Sequence, residues 1–388
     1  LELILDCGDY SLSSSLAPSF ISSLYESLGS GVWVKVAGKL GGRLRLEQRG
    51  RRLIIISTAE ISRAELEHIA VLETGLWHDE FERGIGRLPA GFREAAEALA
   101  EAYPGVRIPI APWDFEHILM AVLLSKRASY EIVRRWCRGL WDMFQGDLRM
   151  LASAKPTALR RITRSYQLLD AVRSMRGLMR IIEEPGGVRE EIIERFGAPR
   201  EPLSSYILGM PPEAARLILL SAWGIGPKVA DSTILSTFKA PHFIPCDVHL
   251  RKFIMRLSLA GDFRMPEKSL CRRFLCCNEP ALGLDPCPSR RCLRALLRSL
   301  GELGGWMQTL VYLHGKEYCR SKKPRCSKCP LRRLCVSSTS LLRSLGELGG
   351  WMQTLVYLHG KEYCRSKKPR CGKCPLRRLC VSSTSFQD

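Results

Sequence analysis

Cys319, Cys326, Cys329 and Cys335 stand in the spacing C-x6-C-x2-C-x5-C, which constrains the fold more than any other feature. Thiolates this close in sequence suit a tetrahedral metal ion or an iron–sulfur cluster, and spacing alone leaves both open. Either one would clip the loop that carries them. About ninety residues earlier, Leu220-Ser-Ala-Trp-Gly-Ile-Gly-Pro-Lys places a tight turn before a lysine. Glycine takes the positive φ that such a turn needs and lets a ligand approach the backbone. The free N–H groups of a helix beginning at Pro227 then form a seat for phosphate.

The cysteine block occurs twice. Residues 296–340 recur as 341–385, with Ser327 against Gly372 as the only change. The second copy carries Cys364, Cys371, Cys374 and Cys380 as a possible second ligand set. Solenoid units drift in sequence and end in atypical caps, so near-identity points to a tandem duplication or a gene-sequence error rather than an array. The first copy is the expected working one, being nearer the hairpin. The formal charge of +20 favours a polyanionic partner, and about +13 survives removal of one copy. Sixteen cysteines in a chain with no signal-peptide pattern favour metal ligation over disulfides. No apolar run approaches a membrane span. The start at Leu1 rather than Met suggests a fragment or a processed end.

Along the chain, residues 1–105 read as a mixed α/β domain. Val32-Trp-Val-Lys-Val, Arg43-Leu-Arg-Leu and Leu53-Ile-Ile-Ile-Ser are short strand patterns, with helices expected at 62–72 and 90–103. Prolines and Gly105 punctuate the end of this region. Residues 106–260 read as a helical core. Asp114 is a candidate N-cap for a helix from Phe115, and Ser129 for the next. Further helices fit 144–153, 157–177, 188–196, 212–223, 228–238 and 248–258, with the hairpin at 212–238. A Cys-rich insert follows at 261–295, then the cluster segment at 296–340 and its duplicate at 341–388. In the insert, Cys271, Cys276, Cys277, Cys287 and Cys292 match no trusted metal motif, so disulfides or free thiols fit equally.

Nineteen residues after Lys228 stands Asp247, within Ile244-Pro-Cys-Asp-Val-His. Trp223-Gly-Ile-Gly-Pro-Lys-Val-Ala-Asp followed by Pro245-Cys-Asp-Val-His resembles the helix-hairpin-helix DNA glycosylases of the endonuclease III superfamily. The block from Leu313-His-Gly to Cys335 is similar to that family's [4Fe–4S] loop, and the resemblance covers roughly residues 105–335. It implies a mostly α, two-lobed glycosylase core with an N-terminal antiparallel α/β domain and a C-terminal iron–sulfur loop. It also implies a bifunctional DNA glycosylase and AP lyase of base excision repair. Lys228 would form a Schiff base with the sugar, and Asp247 would stabilise oxocarbenium charge or help deprotonate the amine. Gly224, Gly226 and Arg127 would contact DNA. Lys126 or Arg127 would fill the gap left by a flipped base, where endonuclease III has Gln.

The N-terminal region departs from minimal endonuclease III and resembles the extra domain of 8-oxoguanine glycosylase, which lacks the cluster loop. An oxidised base is the implied substrate class, purine or pyrimidine open, with an 8-oxoguanine-specific enzyme as the alternative. A non-catalytic DNA-binding module is the other alternative. The implied partner is double-stranded DNA with a damaged base or abasic site, bound by a monomer in the cytoplasm, at the nucleoid. Trp113, Trp136, Trp141 and Trp223 are candidate stacking residues, although aromatics at helical spacing usually belong to a core. Cys246 and His249 read as structural.

Overall fold

The computed structural model describes residues 1–126, 128–144, 147–183, 194, 197, 203–274, 276, 285–320, 322–336, 348–364 and 370–377. Two compact units emerge: Leu1–Met255 with Leu259–Leu331, and Arg256–Ser258 with Arg332–Asp388.

The first unit opens with a five-stranded antiparallel sheet: β1 Glu2–Asp6, β2 Tyr25–Gly29, β3 Val32–Lys35, β4 Leu44–Arg49 and β5 Arg52–Ser57. Their order is β1-β5-β4-β3-β2, with Leu46 opposite Ile55 and Trp33 opposite Leu46. Alternation does what the strand period requires. Leu53, Ile55 and Ser57 of β5 are buried, as are Leu44 and Leu46 of β4. The expected strands at 32, 43 and 53 are present, and β1 and β2 are additional.

Helices α1 Arg63–Thr74 and α2 Ala90–Ala102 complete the N-terminal region. Ser62 caps α1 through Glu65 N, and Gly75 ends it in the left-handed conformation at φ 85°. A buried ionic cluster ties the sheet to the helices. Lys35 Nζ on β3 lies 2.5 Å from Glu73 Oε1 of α1 and 2.7 Å from Asp114 Oδ2, with all three side chains at most 1% exposed. Tyr25 donates to the other oxygen of Glu73.

The helical body comprises α3 Phe115–Leu124, α4 Tyr130–Phe144, α5 Tyr166–Glu183, α6 Pro212–Ser221, α7 Pro227–Thr237, α8 Val248–Arg256 and α9 Gly304–Glu317. Helix α3 is apolar all round and buried from Ile118 to Leu124; it packs on α4, α5 and α7. Asp114 does not cap it. The Asp114 carboxylate accepts from Lys35 and from Lys39 N at 2.7 Å, so ion pairing inside the core overrides capping.

The helix expected over 157–177 is broken. A short turn at Pro156–Leu159 stops, and α5 starts at Tyr166. Between them, Thr163 Oγ1 accepts from Ser165 N, and Ser165 Oγ accepts from Gln167 N. Such local side-chain bonds compete with the helix ladder. Likewise α4 ends at Phe144, and Asp147 caps a new helix, Leu148–Ser153. Most of the helix expected at 188–196 lies outside the described residues. In the second unit, helix α10 spans Leu348–Glu362.

Candidate active site

Pro211 and Pro212 start α6, and the chain leaves it at Ala222 in extended conformation. Gly224 then turns at φ +75°, and a Cβ there would stand 2.1 Å from Ser174 Oγ. Both facts require glycine. Gly226 takes the N-cap position of α7, and Pro227 its first turn, as the sequence predicts. Lys228 therefore sits at the start of α7, partly buried.

Asp247 arrives from the extended stretch after Pro241 and opens α8. Its Oδ1 accepts from Leu250 N at 2.8 Å and its carbonyl from Arg251 N at 3.0 Å. It is an N-cap in geometry.

Lys228 and Asp247 line one cavity of about 430 Å³, a size suited to a small organic ligand. Burial lowers the Lys228 pKa, and the Asp247 charge pulls it back only partly. The positive end of α7 acts in the same direction as burial. Among the described residues no ion pair engages the amine. The result is a lysine closer to its neutral, nucleophilic form than an exposed one would be.

Rings line the same cavity. Phe20 and Tyr130 lie 5.0 Å apart, Tyr130 and Tyr312 5.3 Å, and Tyr312 and His249 5.3 Å in an edge-on pair. Burial raises the pKa of both tyrosines, and for Tyr312 the Asp247 carboxylate is the next cause. Both phenols therefore stay protonated and can donate. His249 has its pKa lowered by burial, and its Nδ1 is buried without a hydrogen bond among the described residues. A planar ligand could stack here beside an amine and a carboxylate. Sequence reasoning missed Phe20, Tyr130 and Tyr312. They come from three distant segments, and only the Leu-Val-Tyr-Leu-His-Gly run near the cysteines hinted at one of them.

A larger cleft of about 1010 Å³ is bounded by Gly38, Trp113, Trp141 and Ser205, and contains neither Lys228 nor Asp247. Volume does not select the site; the amine and carboxylate do.

Around the hairpin, Lys126 Nζ donates to Gly224 O at 2.7 Å and Lys268 Nζ to Ala222 O at 2.5 Å. The guanidinium of Arg173 lies 4.1 Å from the ring centre of Trp223, which is 46% exposed. Lys268 lies in the insert, where no motif marks it. Arg127 is outside the described residues. Of the other tryptophans, Trp141 is buried and Trp113 packs edge-on against His68.

In the first unit, Cys319 follows the end of α9, Cys326 opens a short 3-10 turn at Cys326–Lys328, and Cys329 follows it. His314 of α9 lies 3.1 Å from the Cys329 sulfur. Cys335 belongs to the second unit, where Cys364, Cys371 and Cys374 repeat the arrangement and His359 lies 3.4 Å from Cys374. Cys380 is outside the described residues. Among the described residues no disulfide joins the cysteines of the two sets. Among the described residues no three His, Cys, Asp or Glu side chains converge to hold a single ion. Cysteines in C-x6-C-x2-C-x5-C spacing fit a cluster by the chemistry of their sulfur donors. Nor does a disulfide among the described residues engage Cys271, Cys276, Cys287 or Cys292 of the insert, and Cys277 is outside those residues. Cys246 is buried, as expected of a small filler.

No protein-family model matches the chain. An endonuclease III of Sulfolobus acidocaldarius is 31% identical over 121 residues, 31% of this chain and 44% of that protein. The match thus spans less than half of the relative's length. Among solved structures, the 8-oxoguanine glycosylase/lyase of Clostridium acetobutylicum bound to DNA superposes with TM-score 0.56 at 15% identity, over 81% of this chain and 95% of that one. The 3-methyladenine DNA-glycosylase of Archaeoglobus fulgidus gives TM-score 0.53 at 16% identity, over 81% and 98%. No helix among the described residues is long and apolar enough to cross a membrane. The chain thus has the fold of the helix-hairpin-helix DNA glycosylases and, over part of its length, sequence similarity to endonuclease III.

Proposed function

We propose that the chain is a bifunctional DNA glycosylase and AP lyase that removes an oxidised base from double-stranded DNA. The observation that supports this best is the amine of Lys228, its pKa lowered by burial, in one cavity with Asp247. In this reading the damaged nucleotide rotates out of the duplex and its base enters among Phe20, Tyr130 and Tyr312. The neutral amine attacks the sugar C1′ as the C1′–N bond breaks, and the bonding pair leaves with the base, which takes up a proton. Asp247 steadies the positive charge developing on the sugar. Opening of the sugar ring leaves a Schiff base to Lys228. Loss of a C2′ proton then expels the 3′-phosphate by β-elimination.

Gly224 and Gly226 present backbone N–H groups to a DNA phosphate, and Lys126, Lys268 and Arg173 add positive charge beside them. Arg127 is assigned to the same contact from its position in sequence. Cys319, Cys326, Cys329 and Cys335 are assigned to a [4Fe–4S] cluster, and Cys364, Cys371, Cys374 and Cys380 to a possible second one. The cluster would supply no redox step; it would clip a loop rich in Lys and Arg. The expected state is a monomer acting on nucleoid DNA in the cytoplasm.

The test is borohydride trapping on duplexes that each carry one damaged base or an abasic site. A covalent adduct with the parent chain, lost in Lys228→Gln, is the expected result. Absence of an adduct on every lesion, with binding retained, would make the chain a DNA-binding module instead. Absorbance of the purified chain around 400 nm, with iron counted per chain, checks the cluster and its number.

A further inference from the structure

Residues 304–317 and 349–362 have one sequence and both form helix, yet their surroundings are opposite. In α9, Trp306 and Leu310 are fully buried and Met307 and Val311 nearly so. In α10, the equivalent Trp351, Met352, Leu355 and Val356 are 64%, 42%, 39% and 65% exposed. A contiguous apolar face of this kind is an interaction surface in want of a partner.

The place that fits it is the one its twin occupies. That seat reads a specific sequence. Trp306 Nε1 donates to Val106 O at 3.1 Å, and its ring stacks on Phe81 with centres 5.7 Å apart. Gly305 N donates to Pro241 O at 2.7 Å. A Cβ on Gly304 would stand 2.5 Å from Ile244 Cδ1, and one on Gly305 2.5 Å from Leu235 Cδ1. The seat therefore takes a Gly-Gly-Trp helix and little else, and Gly349, Gly350 and Trp351 repeat that key.

We propose that the seat accepts either copy, so that residues 348–362 are a built-in replacement for 303–317. A second observation supports this. The second copy already holds the local shape of the first. Arg325 N bonds to Tyr318 O and Arg370 N to Tyr363 O, both at 2.8 Å. Cys319 N and Cys364 N bond back to His314 O and His359 O. The residues that α9 brings to the cavity, Gln308, Thr309, Tyr312 and Lys316, recur in sequence as Gln353, Thr354, Tyr357 and Lys361, so a seated second copy rebuilds the cavity wall. Exchange leaves one copy buried and one exposed in either register, and the burial terms cancel. What differs is the length of chain looped out, which shifts the balance by only about threefold per doubling.

The test uses the full chain. Trp306→Arg puts a charge into the seat and evicts the first copy. The variant is expected to unfold cooperatively within about 3 °C of the parent. In hydrogen exchange its peptide around Trp351 becomes protected, while the peptide carrying the substitution exchanges fast; the change of mass tells the two apart. Trp351→Arg alone leaves melting unchanged, and the double variant loses the cooperative transition. A Trp306→Arg chain as damaged as the double variant overturns the proposal, as does a double variant as stable as the parent. A destabilised Trp351→Arg overturns it too. A Trp306→Arg chain that is dimeric, with melting dependent on concentration, would mean a second molecule fills the seat and would equally overturn it.

Discussion

Two lysines in this fold are withdrawn from water beside carboxylates, and they respond in opposite ways. Lys35 has Glu73 at 2.5 Å and Asp114 at 2.7 Å, and these charges raise its pKa against the cost of burial. Burial lowers the Lys228 pKa, the Asp247 charge opposes it only partly, and no ion pair engages the amine among the described residues. Burial with full pairing makes a structural clamp; burial without an ion pair makes a poised amine. The residue types are the same, and what decides is whether the carboxylate is spent on the lysine. Glu73 and Asp114 are spent in that way, whereas Asp247 directs one oxygen to the amide of Leu250 at the start of α8.

The comparison breaks most visibly on chemistry. Lys228→Gln is expected to lower strand cleavage on a damaged duplex by at least about 10³-fold, as loss of a nucleophile does. An equal effect from Lys35→Gln in a chain that stays folded would erase the distinction. Next in size, Lys35→Met leaves two buried carboxylates facing each other and is expected to cost about 3–5 kcal/mol in urea unfolding. Asp247→Asn sharpens the contrast from the other side. The amide oxygen can still cap α8, so stability changes little, while the glycosylase rate falls by roughly 10²-fold.

The smallest effect concerns pH. A lowered folded-state pKa penalises the charged lysine. The penalty is full below the folded pKa and disappears as pH rises to the ordinary lysine value. Lys228→Met should therefore be more stable than the parent near neutrality, with the gap closing above about pH 10.4. Melting curves of both chains across that range read it directly. A gap that widens with pH would mean that Lys228 is paired as Lys35 is.

Much of this was legible in the residues. The hairpin turn and Pro227 in the first turn of α7 followed from a local pattern whose geometry is set by glycine and proline, whereas the pairing of Lys228 with Asp247 came only from the resemblance to the endonuclease III superfamily. Strands β3 and β5 were legible from their Val and Ile runs, and β4 from the alternation of Leu44 and Leu46 with arginines. Strand β2, Tyr25-Glu-Ser-Leu-Gly, was not, since it has neither β-branched residues nor an alternating apolar face and is held by its pairing with β3. The Lys35 cluster was hidden because it joins β3, α1 and the start of α3, and it overrode the cap expected of Asp114. The rings of the cavity were hidden too. Phe20, Tyr130 and Tyr312 each look like ordinary core aromatics until the chain brings them together.

The two ammonium groups that hold the hairpin carry a consequence of their own. Lys126 and Lys268 are tied to the main-chain oxygens of Gly224 and Ala222, and so are held in position while their charge remains. A polyanion meeting this corner finds its counter-charges on a rigid frame, and little side-chain freedom is left to lose on docking. Adhesion there should come from displaced salt ions more than from induced rearrangement, and removing either tether would loosen the grip even where the number of positive charges is restored elsewhere.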